Sequence, residues 1–379
     1  MINQLLKQHK LSLQQQGLYR KRLVLDTSKK DILNFSSNDY LSLRDNRYIK
    51  QAYKKGINLY PVGSGAAMSV CGYHNIHREL ENTFAHYLKA DSGLLFSSGY
   101  AANLGIVRLL AQIKCQLLID KAVHASVYDG IKLTAINHKR VLHNNYDDLK
   151  GKIHNTIASS VFMTEGIFSM SGQQANLKTI ANICATKKVP VIVDEAHSFG
   201  VIGQCGLGAV TYYQLNQHQV PLRLITFSKS LGGQGAIVVG QGEWIETLFQ
   251  YARSNIYSTA ISPALSYGVL ESLPILMSLD YERKKLTELI AYFNQCVKDS
   301  PLQWRQSDTP IQQLQLGCPR RALYYSLQLK KQGIICQAIR QPTVCRLTTG
   351  LRIVLNSHHE KSDIDKLFNR LYQIEHLKH

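Results

Sequence analysis

The sequence predicts an α/β protein, with a large domain built on a mostly parallel sheet flanked by helices and a smaller α+β domain closing the chain. Short continuous apolar runs alternate with helix-period stretches through the middle of the sequence, and that pattern changes after Pro263. Continuous apolar runs of about five residues read as strands buried on both faces, as in a parallel sheet. The chain has 379 residues, 45% hydrophobic and 18% charged, which is enough to bury such a core without disulfide or metal staples. The expected division is an N-terminal helical segment at 1–37, a large domain at 38–270 and a C-terminal small domain at 271–379.

In chain order, residues 2–22 come first. They carry Leu5, Leu6, Leu13 and Leu18 among Lys, Gln and Arg, with no acid before Asp26. The stretch reads as an amphipathic leading helix of the mature fold or as an organelle transit peptide. Its many glutamines and near lack of serine favour the helix. In residues 74–88, Ile76, Leu80, Phe84 and Leu88 recur every fourth residue and predict a helix. Leu94 to Asn103 reads as a strand, a small-residue turn and a helix start. Further strands are expected at 115–119, 161–164, 189–193, 222–227 and 236–239. Beyond Pro263 a strong amphipathic helix is expected at 281–298, with Leu286, Leu289, Ile290, Phe293 and Val297 on one face. Short strands are expected near 322–328 and 351–355, and a charged helix at about 360–376.

Charge and cysteine content narrow the function classes. There are 44 Lys and Arg against 26 Asp and Glu, a formal net charge of +18. Such an excess suits an anionic partner. No helix-turn-helix, zinc-finger or RNP-like pattern accompanies it, so a solvated basic surface is expected and no nucleic acid is called as a partner. No apolar run approaches the roughly 18 residues of a membrane span, so no membrane is called either. Eight cysteines without a CxxC pair read as reduced thiols of a cytoplasmic protein. His74/His77 and His358/His359 lack a matching Cys or carboxylate set, so no metal is expected.

The chemistry gathers where apolar runs end, because ligands of open parallel sheets sit beyond the carboxyl ends of the strands. The run at 189–193 ends in Asp194-Glu195-Ala196-His197, which puts a strand-end acid and an imidazole close together. A cap or a salt bridge is the ordinary alternative for such an acid. The run at 222–227 leads to Ser228-Lys229-Ser230 and then a glycine turn. A lysine held between two apolar strands is partly desolvated, which frees its amine for Schiff-base chemistry; a plain turn lysine is the alternative. Ser98-Gly99-Tyr100 opens a helix whose backbone N–H groups can hold a phosphate. Asp120-Lys121-Ala122-Val123-His124 follows the run at 115–119 and puts an imidazole on the same rim, where a cap or core histidine is the commoner case. An anion cradle, a flat imidazole, an acid and a buried lysine together are what pyridoxal 5′-phosphate (PLP) requires.

With these residues in place, the chain resembles the α-oxoamine synthases, PLP-dependent transferases of fold type I. The likeness runs from Arg20 to about Asp365. It is carried by Asn34-Phe35-Ser36-Ser37-Asn38-Asp39-Tyr40-Leu41, Ser98 to Asn103, His124-Ala125-Ser126, Thr164-Glu165-Gly166-Ile167-Phe168-Ser169-Met170, Asp194 to His197, Thr226-Phe227-Ser228-Lys229 and Ile339-Arg340-Gln341-Pro342-Thr343-Val344.

The resemblance implies roles at matching positions. Lys229 would carry the cofactor and move the substrate's α-proton. Asp194 would pair with the pyridinium nitrogen, and His124 would stack on the ring. His197 and Ser169 would lie near the phenolic oxygen. Gly99, Tyr100 and Thr226 would bind the phosphate, and Ser258 and Thr259 would reach the phosphate of a partner subunit in a homodimer. Arg352 matches the arginine that grips the amino-acid carboxylate, and a guanidinium fork suits that planar anion. Asn38 lies near the same end. Arg20, Arg340 and Thr343 match positions tied to substrate handling.

Within the family, the stretch from Ile339 favours the member of biotin biosynthesis that condenses L-alanine with a pimeloyl thioester of CoA or acyl carrier protein, releasing CO2 and thiol. The alternative is a sibling: 2-amino-3-ketobutyrate CoA ligase, 5-aminolevulinate synthase, serine palmitoyltransferase or an amino-ketone signal synthase. Gly63 to Gly72 and Gln341 to Cys345 depart from the family pattern, and they bear on the acyl donor more than on the cofactor.

Overall fold

The computed structural model describes residues 1–25 and 32–376. Residues 26–31, part of the expected segment 1–37, and 377–379, the end of the expected small domain, lie outside the described residues. The chain forms two compact units. The larger comprises Asn38–Ser169 and Gln174–Lys284, and the smaller comprises Met1–Ser37, Met170–Gln173 and Lys285–His379. The first strand in the chain, β1 (Leu33–Asn34), belongs to the smaller unit.

The larger unit holds a seven-stranded sheet. Its strands are β2 (Ser92–Phe96), β3 (Gln116–Asp120), β4 (His138–Val141), β5 (Ser160–Glu165), β6 (Val191–Asp194), β7 (Leu222–Thr226) and β8 (Ala236–Gly240). Their order across the sheet is β2-β8-β7-β6-β5-β3-β4. The pairs β3–β4, β3–β5, β5–β6 and β6–β7 are parallel, while β8 runs antiparallel to both neighbours. The strands expected from apolar runs are all present, with ends shifted by a residue or two.

Alternation along the strands shows why continuous apolar runs were needed. Leu117, Ile119, Val161, Met163 and Ile192 face one core, with Leu94, Ile106 and Leu110. Leu118, Phe162, Val191 and Val193 face the other, with Ile180, Cys184 and Val210. Successive residues of a strand point to opposite faces, and helices cover both. The helix expected at 74–88 spans Asn75–Leu88 and buries Ile76, Leu80, Phe84 and Leu88.

The smaller unit carries a four-stranded antiparallel sheet of β9 (Trp304–Arg305), β10 (Ile311–Gln315), β12 (Gln337–Ile339) and β13 (Gly350–Val354), in the order β12-β13-β10-β9. A two-residue strand, β11 (Ile334–Ile335), pairs with β1 in parallel. Helices cover Pro319–Lys331 and Lys361–His376. The helix expected at 281–298 spans Asp280–Lys298.

One expected strand is a helix. Residues 322–328 lie inside Pro319–Lys331, where Pro319 starts the helix, Ala322, Tyr325 and Leu329 are buried, and Lys330 and Lys331 fill the last turn. Spacings of three and four outweigh the local β-preference of the aromatic pair. The leading helix also forms, over Ile2–Gln15, but none of its residues is buried. Leu5 and Leu6 stay 59% and 65% exposed, so its apolar stripe has no core to face in this chain.

Candidate active site

The carboxyl ends of β2, β3, β5, β6 and β7 point to one rim of the larger unit, and the expected cofactor residues gather there. Asp194 ends β6, in register with Glu165 at the end of β5. Lys229 follows β7 by three residues. Its Nζ lies 2.8 Å from His197 Nε2. On the other side of the same ring, His197 Nδ1 meets the hydroxyl of Tyr40 at 2.5 Å. Tyr40 is fully buried and His197 nearly so. An amine is therefore held against an imidazole that a buried phenol orients.

Asp194 is a buried acceptor. The backbone N–H of Ala196 donates to its Oδ1 at 2.9 Å, and the Asn103 amide donates to its Oδ2 at 2.9 Å. Two donors fix the direction in which the carboxylate points. His124 caps the helix Ala125–Thr134 and accepts from the backbone N–H of Ser126. It is exposed on one side. Desolvation by the surrounding protein pushes its pKa below the ordinary histidine value, with Lys229 adding to the effect and Asp194 opposing it. A neutral imidazole face is the form suited to stacking. Tyr100 meets the His124 ring edge to face, with centroids 6.5 Å apart, and donates its hydroxyl to Asp129 at 2.6 Å.

Gly99 opens the helix Gly99–Gln112 after Ser98, whose hydroxyl accepts from the Ala101 N–H. A Cβ at position 99 would sit 2.5 Å from Thr226 Cγ2, so only glycine lets the helix start approach the end of β7. Thr226 Oγ1 is buried with no hydrogen-bond partner. An orphan hydroxyl beside a helix N-terminus is the donor set a phosphate takes. With Asp194 and Lys229 on the same rim, these residues fit PLP.

Ser169 is buried and donates its backbone N–H to Glu165 Oε2 at 3.2 Å. Ser258 and Thr259 lie in a stretch that pairs with the glycine-rich segment, through a bridge between Ala67 and Thr259 and a 3.0 Å bond from Ala260 N–H to the Ala66 carbonyl. The carbonyl of Asn38 accepts from the Tyr40 N–H.

The remaining expected residues belong to the smaller unit. Arg352 lies in β13, opposite Gln313 and Gln337, and is buried. Arg20, Arg340 and Thr343 come together. Arg20 approaches Thr343 Oγ1 at 3.4 Å, and Arg340 donates to the Gly17 carbonyl at 2.5 Å. Desolvation and then the charge of Arg20 lower the Arg340 pKa.

Three side chains of the rim carry no assigned role in the sequence reading: Tyr40, Asn103 and Glu165. Glu165 is buried with Oε1 unpartnered. Burial, then the charge of Asp194, keeps its carboxyl well above the usual range. The signal for Glu165 was its place at the end of the run Val161 to Thr164, which parallels Asp194 after Val193. Asn103 stands one helical turn beyond Gly99.

The profile of the aminotransferase class I and II family matches residues 30–371. Among curated relatives, an 8-amino-7-oxononanoate synthase of Hahella chejuensis (strain KCTC 2396) is 37% identical over 368 residues, 95% of this chain and 93% of that one. A protein of the same name from Nitrosococcus oceani is 38% identical over 370 residues, 95% and 98% of the two chains. The solved 8-amino-7-oxononanoate synthase of Francisella tularensis superposes with a TM-score of 0.81 at 30% identity, covering 92% of this chain and 99% of that one. Serine palmitoyltransferase from S. paucimobilis gives a TM-score of 0.90 at 22% identity over 98% and 97% of the two chains, a likeness of fold alone.

Proposed function

Because the chain belongs to the aminotransferase class I and II family, and within it to the 8-amino-7-oxononanoate synthases, we propose that it condenses L-alanine with a pimeloyl thioester to give 8-amino-7-oxononanoate, CO2 and free thiol. It is a PLP-dependent acyltransferase of biotin biosynthesis. The observation that carries the proposal is the Lys229–His197 contact on the rim that Asp194 and Thr226 share.

Bound PLP supplies an aldehyde for an amine and an electron-poor ring that takes up the electron pair left when an amino acid loses its α-proton. The protein's part follows from its own side chains. Lys229 Nζ holds the cofactor, then takes the proton from alanine Cα and later returns one. His197, fixed by Tyr40, sits against that nitrogen and, with Ser169, would lie near the phenolic oxygen of the cofactor. Asp194, held by two donors, presents a carboxylate to the ring nitrogen. Gly99, Tyr100 and Thr226 would hold the phosphate, and His124 would stack on the ring. A carbon–carbon bond forms between alanine Cα and the thioester carbonyl, the thiol leaves, and the alanine carboxylate departs as CO2. Arg352 is assigned to that carboxylate with Asn38, and Arg20, Arg340 and Thr343 to the acyl donor. Ser258 and Thr259 are assigned to the partner subunit's phosphate in a homodimer.

We assign the cofactor residues to the segment 38–270 and the carboxylate arginine to 271–379. We place the enzyme in the cytoplasm, supported by eight free cysteines. No described helix is long and apolar enough to cross a membrane.

Purified protein given alanine and pimeloyl-CoA or pimeloyl-acyl carrier protein should release thiol and a product of the mass of 8-amino-7-oxononanoate. Lys229→Ala should lose both turnover and the near-visible absorbance of the bound cofactor. Much faster turnover of glycine or serine with another acyl thioester would move the chain to a sibling activity.

A further inference from the structure

The acid and the stacking imidazole are joined by a short buried chain. Ser126 donates its backbone N–H to His124 Nδ1 at 3.3 Å, so that nitrogen is an acceptor and carries no hydrogen. The Ser126 hydroxyl lies 2.8 Å from the same Nδ1. Its proton must point there, which leaves Ser126 Oγ free to accept. The Asn103 amide fills that role at 3.0 Å. The same amide nitrogen donates to Asp194 Oδ2 at 2.9 Å. Its orientation is fixed chemically, because a carboxylate accepts and the Asn103 oxygen turned toward it would be repelled. Both hydrogens of one amide are thus spent, one on the acid and one on the serine. Asn103 and Ser126 are essentially fully buried, so water does not compete for these bonds. The four residues come from the strand end of β6, the start of the helix Ala125–Thr134 and the second turn of the helix Gly99–Gln112.

We propose that Asn103 and Ser126 are positioning residues that couple the ring-nitrogen acid Asp194 to the tautomer of His124. Asn103 aims the carboxylate and, through Ser126, keeps His124 neutral with its hydrogen on Nε2. The group that would pair with the ring nitrogen and the group that would stack on the ring are then both set by a single amide. Hydrogen-bonded networks of this kind respond as units, so the contributions of their members are not additive. The inference rests on the proposed PLP site.

The test uses apoenzyme titrated with PLP and followed by near-visible absorbance, in wild type, Asn103→Ala, Ser126→Ala, Ser126→Thr and the Asn103→Ala/Ser126→Ala double variant. Loss of one charge-assisted hydrogen bond corresponds to about a tenfold effect. Asn103→Ala should therefore raise the PLP dissociation constant about tenfold or more. Ser126→Ala should raise it by a smaller factor, Ser126→Thr should match wild type, and the double variant should be no worse than Asn103→Ala. In the holoenzymes, the His124 pKa read from its ring-proton NMR signal should rise in both alanine variants and stay put in Ser126→Thr. A role limited to packing would not move that titration. Alanine variants that melt like wild type, bind PLP like wild type and leave His124 unshifted would overturn the coupling. A double variant equal to the product of the singles would overturn it too. If wild type itself binds no PLP at Lys229, the functional proposal falls along with this one, so the two failures are told apart by the first titration.

Discussion

Glu81 shows how far a single side chain can depart from what its neighbours in sequence imply. It sits beside Leu80 on the helix Asn75–Leu88 and is buried. Tyr73 donates its hydroxyl to Oε2 at 2.5 Å, and the Leu95 N–H donates to Oε1 at 2.9 Å. Burial nevertheless pushes its carboxyl up from 4.5 to about 7, with the two hydrogen bonds opposing. The folded state therefore keeps a proton that the unfolded chain has already released. The stability this residue contributes is present below about pH 4.5 and is lost as the pH rises toward 7. At about 1.4 kcal/mol per unit, the loss is roughly 3 kcal/mol. Urea denaturation of wild type and Glu81→Gln at pH 5 and pH 7.5 checks it. Wild type should lose about 2 kcal/mol more stability than the variant between the two, since pH 5 already lies above the unfolded value, and parallel curves would reject it. A glutamate in a helix ordinarily reads as solvent-facing, and only the tertiary partners Tyr73 and Leu95 make it a buried one. The same reason hides Tyr40 and Asn103, whereas Lys229, Asp194, His197 and His124 were legible because each follows an apolar run at a strand end, a signal that Glu165 shares.

Among the elements, β6 and β7 carry the site, and one ion pair locks their ends together. Arg223 lies inside β7, where every residue is buried. Its Nε donates to Glu195 Oε2 at 2.6 Å and its Nη2 to the Leu207 carbonyl at 2.7 Å. Glu195 also accepts from the Val210 N–H at 2.9 Å. Removing one partner strands a buried charge, so Arg223→Met or Glu195→Gln should cost about 3–5 kcal/mol. The pair Arg223→Met/Glu195→Leu should cost much less than the sum. Denaturant melts of the two singles and the double test this, and additive losses would show that the pair is not coupled. Because Glu195 stands between Asp194 and His197, the single variants should weaken PLP binding as well. The central strands were legible because they are buried on both faces and spelled by apolar runs. Strands β4 and β10 are among those that were not. β4 is an edge strand with three of its four residues exposed, so His138-Lys139-Arg140 gives no apolar signal. β10 buries Gln312 and Gln313, whose amides donate to backbone carbonyls of Ser307, Thr309 and Thr348, and five residues rich in glutamine do not announce a core strand. The helix Pro319–Lys331 was misread for the opposite reason, since Leu323, Tyr324 and Tyr325 in a row look like strand while the buried positions follow helical spacing.

At the scale of the whole molecule the net charge of +18 lowers stability through self-repulsion. We propose that it acts in encounter. Both carriers of a pimeloyl group, CoA and acyl carrier protein, are anionic, whereas alanine is a zwitterion with no net charge. A positive molecule draws an anion from a distance and leaves a neutral one to diffuse. Salt removes that difference, because the screening length falls from about 10 Å at 0.1 M to about 3 Å at 1 M. For the carrier-protein donor, kcat/KM should therefore fall steeply as salt is raised at constant pH. The drop should lie in KM, with kcat nearly constant, because steering ends once the donor is bound. With the donor saturating, kcat/KM for alanine should stay flat over the same range, which controls for any general effect of salt on the fold. Pimeloyl-CoA, with fewer charges than a carrier protein, should show a shallower slope. A flat response for the carrier-protein donor would leave the basic residues as ordinary solvated surface, and equal slopes for alanine and donor would trace the effect to the protein's stability instead of to attraction.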